Sequence, residues 1–312
     1  MTNPSSIPIV FCFDNNFALP AFISISSLSY YAKEQTHYIV YCVVNKDLTD
    51  ANKAHIQSLS NKNLTINFVE AKSTFQNAHQ HRGITESTYY RLMLHDLLPQ
   101  ENKILYLDVD VLINDDLSEL YNINLDGYII GGVRNLYIHQ VFEEHLVEIP
   151  YWKEHFSNAK YTYINAGVLL INLEKIRLTK IWEKWLELAK YKWEYHDQDI
   201  LNMSCKNKIL FLSPKFNATY AVRAKGADQW DLFSKYELSE KPVIYHFTAK
   251  KPWDSKYMDQ STVWWNFVKN NTTQYSYFYK RYNKEDVIRK KLNRISLKMK
   301  RVFTIIFPRS SK

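Results

Sequence analysis

The first two-thirds of the chain alternates short apolar runs with segments of helical spacing, and this alternation limits the fold more than any other feature. "IPIVFCFD" (7–14), "YIVYCVV" (38–44) and "LTINFVEA" (64–71) read as strands. So do "KILYLDVDVLIND" (103–115), "YIIGGV" (128–133), "YINAGVLLIN" (163–172) and "PVIYHFT" (242–248). Between them, 17–32, 47–60 and 85–98 read as helices, the last through Tyr90, Leu94 and Leu97 with a stop at Pro99. The stripe Ile181, Trp185, Leu188 and Lys192 predicts another helix over 180–193. Strands that are apolar throughout are buried on both faces. The expected fold class is therefore α/β, a mostly parallel central sheet flanked by helices. Ligands of such sheets bind beyond the carboxyl ends of the strands.

Composition narrows the function. The 312 residues are 46% hydrophobic, enough for a full core. No apolar run approaches the ~20 residues of a membrane-spanning helix. The segment "MTNPSSIPIVF" lacks a basic stretch followed by a long apolar one, so no signal peptide is expected. Cys12, Cys42 and Cys205 are widely spaced with no CxxC, which predicts buried reduced thiols in a cytosolic protein. Triplets of the N-x-S/T kind, such as Asn217-Ala218-Thr219, are then read as chance. With six Gly and no GxGxxG, a dinucleotide-dependent oxidoreductase is disfavoured.

Charge is segregated. The net charge is +8, yet residues 280–312 hold 12 Lys/Arg against 2 Asp/Glu, so the rest of the chain is slightly acidic. A nucleic-acid-binding body is not expected. In the tail, Ile288, Leu292, Ile295, Met299, Val302 and Ile306 form a helical stripe with Lys and Arg on the other faces, ended by Pro308. Such a helix either docks on the body or lies on an anionic membrane, where each basic residue contributes roughly 1 kcal/mol. The membrane reading is the one expected here. The boundaries expected are a body of 1–255 and an aromatic, basic extension of 256–312.

Asp108 and Asp110 lie inside the run 103–115, where isolated ionised groups would be costly. Two apart on a strand, they project from one face. A divalent cation with a phosphorylated ligand accounts for both, since hard oxygen ligands suit Mg²⁺ or Mn²⁺. An apolar strand followed by DxD also opens the haloacid-dehalogenase phosphatases, so the motif alone leaves a phosphohydrolase open.

Other segments narrow this choice. "IVFCFDNNF", "STYYRL", "LYLDVDVL", "YINAGVLLINL", "HDQDILN" and "VIYHFTAKKPW" occur in that order. Through them, over roughly residues 7–255, the chain resembles glycosyltransferase family 8, a retaining group that includes glycogenin and bacterial lipopolysaccharide galactosyl- and glucosyltransferases. The resemblance implies a GT-A type nucleotide-diphospho-sugar transferase fold. It also implies transfer of galactose or glucose from a UDP-hexose to a saccharide acceptor, forming an alpha-glycosidic bond. A catalytically silent sugar-nucleotide-binding member is the remaining alternative.

The resemblance assigns roles that plainer chemistry must be weighed against. Asp14 and Asn16 either form a turn or read the uridine, with Cys12 giving a backbone contact. Arg91 is either a surface ion pair or a group that orients Asp108 and the donor sugar. Asn165 and Ala166 would line the donor hexose. Asp197 would bind its hydroxyls and Gln198 would sit beneath the anomeric carbon, although this stretch also suits a helix cap. Asp108, Asp110 and His246 would hold Mn²⁺, with Mg²⁺ as second choice, because an imidazole ligand favours Mn²⁺. The loop after His246 is shorter than the family's and has Ala249 where Gly is usual, so Lys251 and Lys250 are both candidates for gripping diphosphate. With the basic tail, the expected acceptor is lipid-linked or a lipooligosaccharide, met at the cytoplasmic face of the inner membrane.

Overall fold

The computed structural model describes residues 6–71, 86–135, 162–219, 241–248, 251–253, 262–274, 276–277 and 280. Lys250, Ala249 and the basic stripe from Ile288 to Ile306 lie outside the described residues. Those from 6 to 246 belong to one compact unit and those from Phe247 onward to a second.

Among the described residues, ten strands carry the first unit: β1 (Ser6–Phe13), β2 (His37–Val44), β3 (Leu64–Glu70), β4 (Lys103–Leu107), β5 (Val111–Ile113), β6 (Ile130–Arg134), β7 (Ile164–Asn172), β8 (Ile209–Phe211), β9 (Ala218–Thr219) and β10 (Ile244–His246). Seven form the main sheet in the order β3-β2-β1-β4-β7-β6-β8. The pairs β1–β2, β2–β3, β1–β4 and β6–β8 are parallel, whereas β7 runs antiparallel to both β4 and β6. The expected mostly parallel sheet thus has one reversed strand. The apolar strands are buried as expected: in β1, Ile7, Ile9, Val10, Phe11 and Phe13 are all inaccessible or nearly so. At the sheet edge, β3 instead alternates, with Leu64 and Ile66 buried and Thr65 and Asn67 exposed.

Reversal of β7 shapes the functional end of the sheet. Leu107 at the carboxyl end of β4 pairs with Val168, and Asp108 N–H donates to Gly167 O at 2.8 Å. The amino end of β7, from Ile164 to Gly167, therefore lies beside the carboxyl end of β4.

The run 103–115 is not one strand. β4 stops at Leu107, Asp108 to Asp110 make a turn, and Val111 begins β5 in a separate three-stranded sheet of order β5-β10-β9. The helix Ala18–Tyr30 braces this break from below. Ser24 Oγ lies 2.7 Å from both the Val109 and Val111 carbonyls, and Ile113 N–H donates to Ser27 Oγ at 3.0 Å. Both serines are buried, so the helix places hydroxyls where a turn's backbone needs partners.

Two expected helices are altered. Over 85–98 the chain forms a 3₁₀-helix, Glu86–Met93, followed by one α-turn, Leu94–Leu97. Eight residues is long for that geometry. Over 180–193 the helix is confined to Ile181–Leu188. Lys180 at φ 52° separates it from the helix Leu173–Thr179, and the Trp193 indole donates to Leu188 O at 2.7 Å, capping its end.

Candidate active site

Three ligand-type side chains converge from two places in the chain. In the small sheet, His246 pairs with Val111, the residue after Asp110. This register sets His246 Nε2 3.2 Å from Asp110 Oδ1 and 3.9 Å from Asp108 Oδ2. One ligand atom from each of Asp108, Asp110 and His246 lies within 4.8 Å of the other two. His246 and Asp110 are buried, while Asp108 is partly open. The sequence expectation that the acids share the face of a strand is replaced by a turn that aims both at the same imidazole.

Gly167 lets β7 pack directly against Asp108 and His246. A Cβ there would lie 2.8 Å from Asp108 Oδ2, 2.8 Å from His246 Nε2 and 2.1 Å from His246 Cε1. A methyl group at 167 would therefore overlap the imidazole ring, which with Asp108 and Asp110 makes up a donor set of two carboxylates and one imidazole nitrogen. That donor set fits a small hard-to-borderline cation such as Mn²⁺, or Mg²⁺.

Asp108 is held by one oxygen only. Its Oδ1 accepts from Arg91 Nη2 at 2.9 Å and from the Tyr106 hydroxyl at 2.7 Å. Oδ2 is the atom turned toward His246. The Arg91 guanidinium also lies 4.3 Å from the centre of the Tyr106 ring and donates to Ala166 O. Its Nε is 2.8 Å from Asp197 Oδ2 but spends its hydrogen on Thr88 O at 3.1 Å. The Arg91–Asp197 contact is therefore an ion pair, and Asp197 Oδ2 has no hydrogen-bond partner among the described residues. Arg91 is a buried bridge between two carboxylates. Burial opposes its charge, but Asp108 and Asp197 outweigh burial and hold it protonated.

Asp197 is also buried, and burial pushes its pKa up to about 7, with Arg91 pulling down and Asp108 and Asp199 adding to the rise. Gln198 is engaged at both ends: Ala166 N–H donates to its Oε1 at 3.0 Å, and its Nε2 donates to Tyr163 Oη at 3.2 Å. Asp199 takes the capping part of this stretch, accepting from Tyr195 N–H at 2.8 Å. Asn165 Oδ1 accepts from Gly167 N–H and from Asn217 Nδ2, both at 2.9 Å.

At the end of β1, Asp14 Oδ1 accepts from Asn16 N–H at 2.9 Å, the turn that its residue type favours. Neighbouring Asn15 reaches Thr49 N–H at 3.1 Å and Asn52 Nδ2 at 2.8 Å, tying this loop to the helix Asp50–Gln57. Cys12 is buried beneath, and burial raises its thiol pKa so that it stays neutral. Cys42 and Cys205 are likewise buried and free, as expected. Lys251 belongs to the second unit, where its ammonium donates to Phe247 O at 2.9 Å.

Tyr106, Gly167, Asn217 and Ser24 were not singled out as site residues from the sequence. Tyr106 carried a usable signal, a hydroxyl two residues before the first acid on the same face of the strand. Asn217 draws notice in the sequence only through an N-x-S/T triplet read as chance, yet its Oδ1 accepts from His246 Nδ1 at 2.9 Å and the residue is 1% exposed.

Residues 8–257 match the family model described as Glycosyl transferase family 8. The chain belongs to glycosyl transferase family 8. Among curated relatives, a putative glycosyltransferase of Haemophilus influenzae is 31% identical over 258 residues, covering 80% of this chain and 73% of that protein. A lipopolysaccharide 1,2-glucosyltransferase of Escherichia coli K12 is 29% identical over 174 residues, covering 54% of this chain and 49% of that protein. Among solved structures, the galactosyltransferase LgtC in complex with donor and acceptor sugar analogs superposes with a TM-score of 0.70 at 24% identity, covering 86% of this chain and 97% of that one. The WbbM bifunctional glycosyltransferase gives 0.74 at 20% identity, with 90% of this chain and 52% of that one covered. The family 8 chain therefore has the GT-A type fold, and its DxD turn stands at the carboxyl edge of that fold's sheet. A DxD phosphohydrolase is no longer an alternative.

Proposed function

We propose that this family 8 chain is a retaining hexosyltransferase that moves galactose or glucose from a UDP-hexose to a saccharide acceptor. The observation that carries the reading is the convergence of Asp108, Asp110 and His246, one ligand atom of each lying within 4.8 Å of the other two, against Gly167, where a side chain would collide with the imidazole. We assign Mn²⁺ to these three residues. When bound there, the cation supplies Lewis-acid neutralisation of the departing diphosphate.

The protein's part is binding and orientation. Asp197 Oδ2, buried and lacking a hydrogen-bond partner among the described residues, suits a donor-sugar hydroxyl. Arg91 ties Asp197, Asp108 and the Ala166 carbonyl into one rigid group, so sugar and diphosphate sites keep a fixed separation. Asp14, Asn16 and Cys12 are assigned to the uridine, and Lys251 to the diphosphate on its Lys-Pro-Trp match.

In the reaction, the bond between the anomeric carbon and the β-phosphate oxygen breaks, and the acceptor oxygen bonds to that carbon. The acceptor proton leaves with the phosphate oxygen. Gln198 has both amide ends committed, to Ala166 and Tyr163, and an amide is a poor nucleophile. This supports attack from the face that UDP leaves, with retention, over a covalent intermediate on Gln198. A lipid-linked or lipooligosaccharide acceptor, and docking of 280–312 on an anionic membrane, rest on the charge of that segment.

UDP release from UDP-galactose and UDP-glucose tests the reading. Release is expected to need Mn²⁺ and to collapse in Asp110→Ala and His246→Ala. Unchanged turnover in both variants refutes the metal assignment.

A further inference from the structure

The hydrogen bonds behind His246 trace back to one backbone N–H, and that fixes which ring nitrogen is free. Gly167 N–H donates to the Asn165 side chain at 2.9 Å. A backbone amide is always a donor, so the facing atom is Asn165 Oδ1. This oxygen is also 2.9 Å from the Asn217 amide, whose facing atom must then be the Nδ2 donor. The other end of Asn217, its Oδ1, lies 2.9 Å from His246 Nδ1. An acceptor there requires the hydrogen on Nδ1. In the neutral ring the lone pair is then on Nε2, the nitrogen facing Asp110 and Asp108.

We propose that Asn217 is a positioning residue that sets His246 as an Nε2 ligand and couples it, through Asn165, to the donor-sugar segment. The inference rests on the metal and donor assignments above. Replacing a partner that orients a ligating imidazole typically costs about 10–100-fold in metal affinity or activity. The relay has a second consequence. Asn165 Oδ1 is occupied twice, by Gly167 and Asn217, so Asn165 can offer a sugar only its Nδ2–H donors. It selects for a sugar oxygen that accepts. The backbone of the adjoining Ala166 is taken on both sides, its N–H by Gln198 and its carbonyl by Arg91. The segment thus holds one face toward the metal ligand and one toward the sugar, with Asn217 as the link.

The 312-residue chain tests this in three measurements. Nitrogen-15 NMR of the metal-free wild type is expected to show His246 as the Nδ1–H tautomer, and Asn217→Leu to lose that preference. Titration with Mn²⁺ alone is expected to show binding about 10–100-fold weaker in Asn217→Leu. Asn217→Asp keeps an acceptor for Nδ1 and loses the donor to Asn165. Its Mn²⁺ affinity is expected to stay near the wild type's, while KM for UDP-galactose or UDP-glucose hydrolysis rises. An Nε2–H wild-type tautomer, unchanged Mn²⁺ affinity in Asn217→Leu, or unchanged KM in Asn217→Asp overturns the proposal. If Asn217→Leu does not fold, the wild-type tautomer and Asn217→Asp decide it. A wild type that binds no Mn²⁺ but holds the Nδ1–H tautomer overturns the metal reading and leaves the role of Asn217 in orienting the ring intact.

Discussion

Gly167→Ala is the substitution that most directly probes the cluster. The added Cβ would lie 2.1 Å from His246 Cε1, against an ordinary carbon–carbon contact of roughly 3.5–4.0 Å. Relief requires a displacement of more than ~1 Å between β7 and the imidazole ring, in a close-packed setting. Neither side yields easily. His246 is held by Asn217 and paired in β10, while Gly167 is bonded through its carbonyl to Asp108 and through its N–H to Asn165. Overpacking of this size costs about 1–3 kcal/mol of stability. A misplacement of that order at a reacting centre costs about 100-fold in rate. The expected result is a folded protein that melts a few degrees lower, binds Mn²⁺ at least tenfold more weakly, and releases UDP about 100-fold more slowly. Gly132→Ala is the control for overpacking alone. Its Cβ would meet Ile164 Cδ1 at 2.5 Å, an apolar contact, so it should lower the melting temperature and leave Mn²⁺ affinity unchanged. Wild-type Mn²⁺ affinity and turnover in Gly167→Ala would refute the placement of the ligands around that glycine.

Three further outcomes follow from the same geometry. Tyr106→Phe removes the 2.7 Å hydrogen bond to Asp108 Oδ1 and leaves Arg91 on that oxygen; Mn²⁺ titration should show weaker binding by a few-fold, about 1 kcal/mol, with the fold retained. Asp197 has a folded pKa of about 7 against an ordinary 3.8, so between these values the folded state holds a proton that the unfolded chain has lost. Its contribution to stability therefore falls as pH rises from about 4 through 7, and denaturant unfolding without added metal should show Asp197→Asn removing that part of the slope. Removing residues 280–312 should leave UDP release in solution intact and abolish cosedimentation with anionic vesicles; equal vesicle binding by the shortened chain refutes the anchor.

Much of this was legible because apolar runs and short polar motifs are local signals. β1 and β2 fall within a residue or so of the runs 7–14 and 38–44, and the grouping of His246 with Asp108 and Asp110 follows from the family resemblance carried by the ordered motifs. The direction of β7 was not legible, since an apolar run reads alike in either sense. Nor was the break after Leu107, because the residues on both sides are equally apolar and the turn is held from outside by Ser24. The 3₁₀ geometry of 86–93 coincides with an arginine anchored on three sides, which no local pattern announces. Asn217 was missed for a similar reason. A buried amide that orients another side chain is chemically identical, in sequence, to a surface asparagine.

The split origin of the cluster sets the order in which this protein becomes competent. Asp108 and Asp110 leave the ribosome early, on β4 and the turn after it, whereas His246 arrives with β10, the last strand in chain order among the described residues. Until β10 docks beside β5, the two acids face each other without the imidazole, and β5 lacks the neighbour that aligns it. A chain made only through β4 lacks the imidazole of the proposed cation site. A cation held by all three residues would stabilise the finished fold and not its precursors, since a ligand raises stability only for the state that binds it.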